Sequence, residues 1–223
     1  MMRDQTVRSC GAKLCLLSIG ALALLAATGC GPDFGAWLYT LGLYPTQVIP
    51  AEYKLPPGPV MVLVDDDRDL IRPTTAREAL VDELAKQLKE NAQIEQVTTN
   101  EELARLRRDD PSFERRGVRE LGRAAKADTV IWLTTTEFSL NSDLEMVMSP
   151  ARFTVAVRVI NAKAETADEV RLWPTEREGR LVQVQISPHE IRQCKDLKEA
   201  HQKIAAAMAV EVAKLFYEQK IRD

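Results

Sequence analysis

The sequence is poor in several things that common functional classes require. Aromatic residues are only 5% of its 223 residues, histidine occurs twice and cysteine four times. Four cysteines are too few for a disulfide-built fold of this length. His189 and His201, with Cys194 between them, lack the spacing of a zinc site. There is no basic excess. The net charge is -3, which argues against binding a nucleic-acid backbone. No G-x-S-x-G elbow, phosphate loop or G-x-G-x-x-G turn occurs. What is present is ordinary globular composition, 45% hydrophobic and 28% charged, with enough length for one sizeable core.

The amino terminus is the most informative stretch. Arg3, Arg8 and Lys13 form a basic leader, and Leu14 to Ala27 is almost wholly apolar. That run is short of the roughly 20 residues a bilayer-spanning helix needs, and it fits the h-region of a secretory signal. Ala27, Thr28 and Gly29 are small, and Cys30 follows. The segment Leu25 to Cys30 resembles the lipobox of bacterial lipoproteins. The resemblance implies a signal peptide over 1–29, diacylglyceryl attachment to the Cys30 thiol, cleavage before Cys30 and acylation of the new amino group. Each buried methylene contributes about 0.8 kcal/mol, so two or three acyl chains hold a soluble domain at a membrane. Gly31, rather than Asp, follows the cysteine. By the same resemblance the chain is exported to the cell envelope, to the periplasmic face of the outer membrane rather than the inner one. Cys10 and Cys15 leave with the signal, so Cys194 is the one free thiol expected in the mature chain, buried and inert.

Residues 30–58 read as a lipidated tether, punctuated by Pro32, Pro45, Pro50, Pro56 and Pro57. Within it Phe34, Trp37, Leu38, Tyr39, Leu41 and Tyr44 form an apolar segment. Three roles are open to it: docking on the domain's own core, lying at the bilayer interface, or binding a partner.

A single domain is expected over 59–223. Val60 to Asp65 is a continuous apolar run of strand length, the pattern of a buried strand. A helix to Asn91 follows, with Thr75 and Glu78 spaced as a capping box. Ile94 to Thr99 alternates as a short strand, and Asn100 is placed to cap a helix carrying Leu103 and Leu106. A third helix carries Val118, Leu121, Ala124 and Ala125. Asp128 to Leu140 and Ala151 to Ala162 read as long strands in an antiparallel hairpin. Shorter strands are expected at Val170 to Trp173 and Leu181 to Ile186, and a long helix at Lys195 to Ile221. This order predicts an α+β fold, a mixed sheet of about five strands with helices packed on it and a long carboxyl-terminal helix.

Asp65, Asp66 and Asp67 are the one cluster with catalytic or metal-binding chemistry. Carboxylates at a strand's carboxyl end can hold a divalent cation or act as nucleophiles. The plainer reading is a solvated acidic turn. The charge-dense stretch Arg105 to Gly117 reads likewise as a solvated face, with a docking surface for an acidic partner as the alternative.

A larger pattern completes the reading. Leu121, Ala125, Ala127, Asp128 and Val130 form an Ala-Asp junction between a helix and a strand, and Val157, Val159, Ile160, Asn161 and Ala162 end a later strand. Together they resemble the amino-terminal domain of TolB and the periplasmic core of CsgG-type lipoproteins, over Val60 to about Val170. The resemblance implies a non-enzymatic envelope module that contacts another envelope protein or a second copy of itself. No cofactor and no nucleic acid are expected. The alternative is a lipid-anchored, metal-dependent hydrolase using Asp65 to Asp67.

Overall fold

The computed structural model describes residues 47–66, 68–110, 112–140 and 148–221. Cys30 and the segment from Phe34 to Tyr44 lie outside them, as does Asp67. The body described below is Val48–Lys220.

A buried sheet organises the fold. Strand β1 (Gln47–Ile49) pairs only with the last strand, β7 (Gln219–Ile221), in a two-stranded ribbon. The main sheet holds five strands: β2 (Val60–Asp65), β3 (Thr129–Ser139), β4 (Ala151–Asn161), β5 (Arg171–Trp173) and β6 (Arg180–Ile186). β2 runs parallel to β3, and β3 antiparallel to β4. β5 and β6 share the other edge of β4, both antiparallel to it. The expected α+β class, strand number and long late helix are therefore present.

Apolar residues run unbroken through β2 because both of its faces are covered. Val60, Val62 and Val64 join the larger core, while Met61 and Leu63 face a smaller one on the opposite side. The larger core lies beneath α1 (Thr74–Asn91) and α5 (Leu197–Ala213), which pack side by side. Leu80, Leu84 and Leu88 of α1 repeat at helical spacing and are fully buried. Each contributes about 1.5–3 kcal/mol through removal from water. The smaller core lies beneath α2 (Asn100–Asp109), a 3₁₀ turn (Phe113–Arg115) and α3 (Val118–Ala124). That layer stops short of β6, whose Leu181, Gln183 and Gln185 are exposed.

Several local expectations are corrected. α1 starts at Thr74 behind Pro73, with no side-chain cap, so the Thr75–Glu78 box does not form. Ile94 to Thr99 is not a strand. It makes one bridge, Val97 to Val60, before Thr99 starts α2. Thr99, not Asn100, is the cap: its hydroxyl accepts from Glu102 N–H at 3.3 Å and Glu102 accepts from Thr99 N–H at 2.9 Å. Asn100 instead donates to the Glu78 carbonyl at 2.9 Å and to Asp82 at 2.8 Å, tying α2 to α1. A short helix, α4 (Pro188–Arg192), was not expected; Ser187 and Glu190 cap it reciprocally. α5 begins after the Asp196 cap and ends at Ala213, well before Ile221, because the chain turns there and re-enters as β7.

The junction between α3 and β3 explains the Gly-Arg-Ala-Ala-Lys-Ala-Asp run. Ala127 N–H reaches the Gly122 carbonyl at 2.9 Å and Lys126 N–H the Arg123 carbonyl at 3.0 Å. With Lys126 at φ 55, these bonds form a Schellman ending. A Cβ on Gly122 would stand 2.5 Å from Val130 and 2.8 Å from Ala162, so glycine lets α3 approach both strands. The end of β4 meets this junction. Arg123 donates to the Ala162 and Ala164 carbonyls, each at 2.7 Å, and Lys163 pairs with Asp128 at 2.6 Å. The two sequence signatures far apart in the chain thus pack on one another.

Candidate functional site

The chain crosses the sheet between β2 and β3. α1 covers one face and α2 and α3 the other, which leaves a crevice at the carboxyl end of β2. Crevices at such crossings are the usual ligand positions of parallel strands. The crevice here is a cavity of about 360 Å³. Its charged lining is Asp65, Asp66, Arg77, Arg107 and Arg116; Leu63, Phe113, Val118 and Leu121 supply an apolar wall.

The two described aspartates hold different positions. Asp65 ends β2, and its Oδ2 accepts from the Trp132 indole N–H at 3.1 Å. Asp66 is no solvated turn residue: its side chain is 0% exposed. Its Oδ1 accepts from Leu70 N–H at 2.9 Å and its Oδ2 from Ile71 N–H at 2.8 Å. Arg77 stands 3.5 Å from the same Oδ2. The carboxylate therefore folds the loop after β2 back on itself and delivers the chain to α1. Desolvating a carboxylate is costly without such partners, and two backbone donors at these distances supply them.

The arginines come from three separate segments. Arg77 lies in α1 and Arg107 in the last turn of α2. Arg116 follows the 3₁₀ turn and pairs with Asp110 at 2.5 Å. Hydrogen bonds from the Ser112 hydroxyl and N–H, then Arg116, hold the Asp110 carboxyl below the usual carboxylate range. Arg107 sits one helical turn after Leu103, which is buried. The reading of Arg105 to Gly117 as a solvated face is thus corrected for Arg107, which is half-buried on the side of that apolar stripe, whereas Arg116 is exposed as expected. The i, i+4 relation to Leu103 was the signal that could have found Arg107.

Across the same face, Arg158 lies 4.8 Å over the Trp132 ring and donates to the Thr134 hydroxyl at 2.9 Å. Burial first, then Arg171, push its pKa down, while Asp65 acts in the opposite sense.

The remaining candidates stand elsewhere. His201 is buried in α5, with Nδ1 2.6 Å from the Leu197 carbonyl oxygen and its ring stacked on Phe138. His189 lies in α4, 3.0 Å from the Gln193 amide. Cys194 is half-buried rather than buried, and burial raises its thiol pKa. Among the described residues no group of three or more His, Cys, Asp and Glu side chains is arranged to hold a metal ion.

A second surface feature lies where the described chain begins. Ile49, Pro50, Leu181 and Leu215 line a hollow of about 230 Å³. Glu52 and Arg180 close one side with a bidentate pair, both bonds at 2.8 Å. Val48, Ile49 and Leu181 are three of the four large apolar side chains exposed among the described residues, the fourth being Met148. No described helix is long and apolar enough to cross a membrane.

No protein-family profile matches this chain, and no curated protein matches it. Solved structures do. It is similar to a PelC dodecamer from Paraburkholderia phytofirmans, at 11% identity and a TM-score of 0.43, over 78% of this chain and 99% of that one. It is also similar to the lipoprotein GNA1162 from Neisseria meningitidis, at 14% identity and a TM-score of 0.40, over 58% and 82%. A third is the hypothetical protein CT253 from Chlamydia trachomatis, at 15% identity and a TM-score of 0.38, over 71% and 96%.

Proposed function

We propose that this chain is an envelope lipoprotein, anchored through Cys30, whose α+β domain works without catalysis by contacting another envelope protein or a second copy of itself. The observation that carries the reading is the leader from Arg3 to Cys30: a basic start, an apolar core too short to span, and small residues before a cysteine. The anchor holds the domain on the periplasmic face of the outer membrane. The exposed group of Val48, Ile49 and Leu181 supports the contact role, because apolar residues gathered beside a hollow are a common mark of an interaction surface. The loose likeness to the TolB and CsgG-type cores agrees with the same role.

Replacing Cys30 with Ser tests the anchor. The variant is expected to lose lipid labelling and to appear in the soluble fraction; unchanged membrane retention refutes the lipoprotein reading. In-cell crosslinking followed by capture through a carboxyl-terminal tag tests the contact role, with Leu181→Asp as the variant that should lose the crosslinked species.

The second reading is a lipid-anchored, metal-dependent hydrolase. It draws on one observation, that Asp65 and Asp66 both line the cavity. Its requirement is a carboxylate with free coordination capacity, and Asp66 has already spent much of its own on Leu70 and Ile71. Asp65→Asn leaves the contact role intact and abolishes hydrolysis if that reading holds.

A further inference from the structure

We propose that the outer edge of β6 pairs with the β6 of a second copy of this chain, antiparallel about a two-fold axis at Val184, so that two main sheets join into one. The inference rests on the contact role proposed above and names the occupant of its surface at Leu181.

Three observations carry it. First, this edge is open. β6 bonds to β4 on one side, and among the described residues no strand flanks the other. Nor, among them, does any backbone bond from outside the sheet reach Leu181 to Ile186. Second, the other edge strands are protected and β6 is not. β2 is flanked at its start by residues 96–98: Val60 N–H donates to the Gln96 carbonyl and Thr98 N–H to the Val60 carbonyl, each at 2.9 Å. β5 has only three residues and stops at Pro174. β6 runs for seven residues, Arg-Leu-Val-Gln-Val-Gln-Ile, with no proline, no lysine and no shift of register against β4. Its one charge, on Arg180, is paired with Glu52. Short length, proline, lysine and bulges are the devices that keep natural edges from pairing, and an edge without them is a template for a further strand.

Third, the strand is complementary to itself, which fixes the occupant as a second copy. Pairing about Val184 sets Val184 against its counterpart, Val182 against the second copy's Ile186, and Gln183 against the second copy's Gln185. The face that packs on the core meets its like. The exposed amides, which both donate and accept, meet amides. Arg180 falls opposite Pro188, so no like charges face each other. A slip of one residue would set Gln against Val and lose the match. An isologous contact of this kind closes on a dimer.

The test is disulfide crosslinking in cells that carry two differently tagged full-length copies, both with Cys194→Ser, one with Gln183→Cys and the other with Gln185→Cys. Opposed residues of antiparallel strands have Cα atoms about 4.5–5.5 Å apart, within reach of a disulfide. A covalent dimer carrying both tags is expected. Little should form when both copies carry Gln183→Cys, because those positions are then diagonal, about 7–8 Å apart. No mixed dimer, an equally strong dimer from Gln183→Cys alone, or a disulfide to a different protein instead overturns the proposal. Charge substitutions give a second measurement, by sedimentation of the purified full chain in non-ionic detergent. Gln183 and Gln185 are both exposed, so the variants should fold. Gln183→Glu with Gln185→Glu sets like charges opposite one another and should raise the dimer's dissociation constant about tenfold, whereas Gln183→Glu with Gln185→Lys should restore it. Equal association of the two overturns the pairing. If the mixed dimer is absent while the chain still crosslinks to an envelope protein in a Leu181-dependent way, this pairing fails and the contact role stands; if neither species forms, both fail.

Discussion

Removing the carboxylate of Asp66 should cost more stability than any other single change in the acidic cluster. Its two backbone bonds, at 2.9 and 2.8 Å, run to a charged acceptor whose side chain is 0% exposed. Bonds to charged groups are worth about 1.5–3 kcal/mol each. Asp66→Ala leaves both N–H groups without their acceptor. Leu70 is a half-buried residue beside solvent whose N–H can recruit water, but Ile71 is 1% exposed and its donor cannot. The expected loss is therefore about 3–5 kcal/mol, a large part of a typical domain's total. Asp66→Asn keeps one carbonyl oxygen and should cost about 1–3 kcal/mol. Urea unfolding of the full chain in detergent measures both, read from the shift in midpoint at constant slope. A loss under about 1 kcal/mol for Asp66→Ala refutes the structural role and returns the residue to the list of free, functional carboxylates.

Three further outcomes are expected. Lys126 sits in the left-handed region at φ 55, so Lys126→Gly should stabilise by about 0.5–1 kcal/mol in the same assay. Gly122→Val should destabilise by about 1–3 kcal/mol, since even a Cβ would stand 2.5 Å from Val130. The hydrogen bond from Arg180, then burial against it, set a net lowering of the Glu52 pKa from 4.5. The pair's contribution is then fully present above about pH 4.5 and is lost as the pH falls through the lowered value. Stability against pH should lose part of its acid slope in Arg180→Gln. Because both side chains are more than two-fifths exposed the effect should be small and should shrink with salt.

Local pattern was enough for most elements. The apolar run of β2, the period-two face of β4 and the helical spacing in α1 and α5 each report burial along one segment, and burial is what a sequence records most directly. Where the reading failed, a non-local or competing interaction decided. Ile94 to Thr99 alternates like a strand, yet the capping box at Thr99 wins the chain for α2 after a single bridge to Val60. Asn100 and Thr99 are both good caps by type; Asn100 lost the role because its amide is taken by Glu78 and Asp82 of α1. The last helix reads longer in sequence than it is because its apolar stripe continues through Leu215 and Phe216, which are buried in the turn between α5 and β7.

The same division holds for the candidate site. The proposed leader and Cys30 anchor rest on sequence alone, since such signals are read from a linear stretch, and the sequence also singles out Asp65 to Asp67 as chemically capable. It could not say that Asp66 would be used up by the loop it closes, or that Arg77, Arg107 and Arg116, spread over about 40 residues of chain, would face one cavity. Charge in a sequence has no direction. Only the packing of α1, α2 and α3 on opposite faces of β2 and β3 gives those side chains a common target, because burial of their apolar neighbours fixes which way each helix turns.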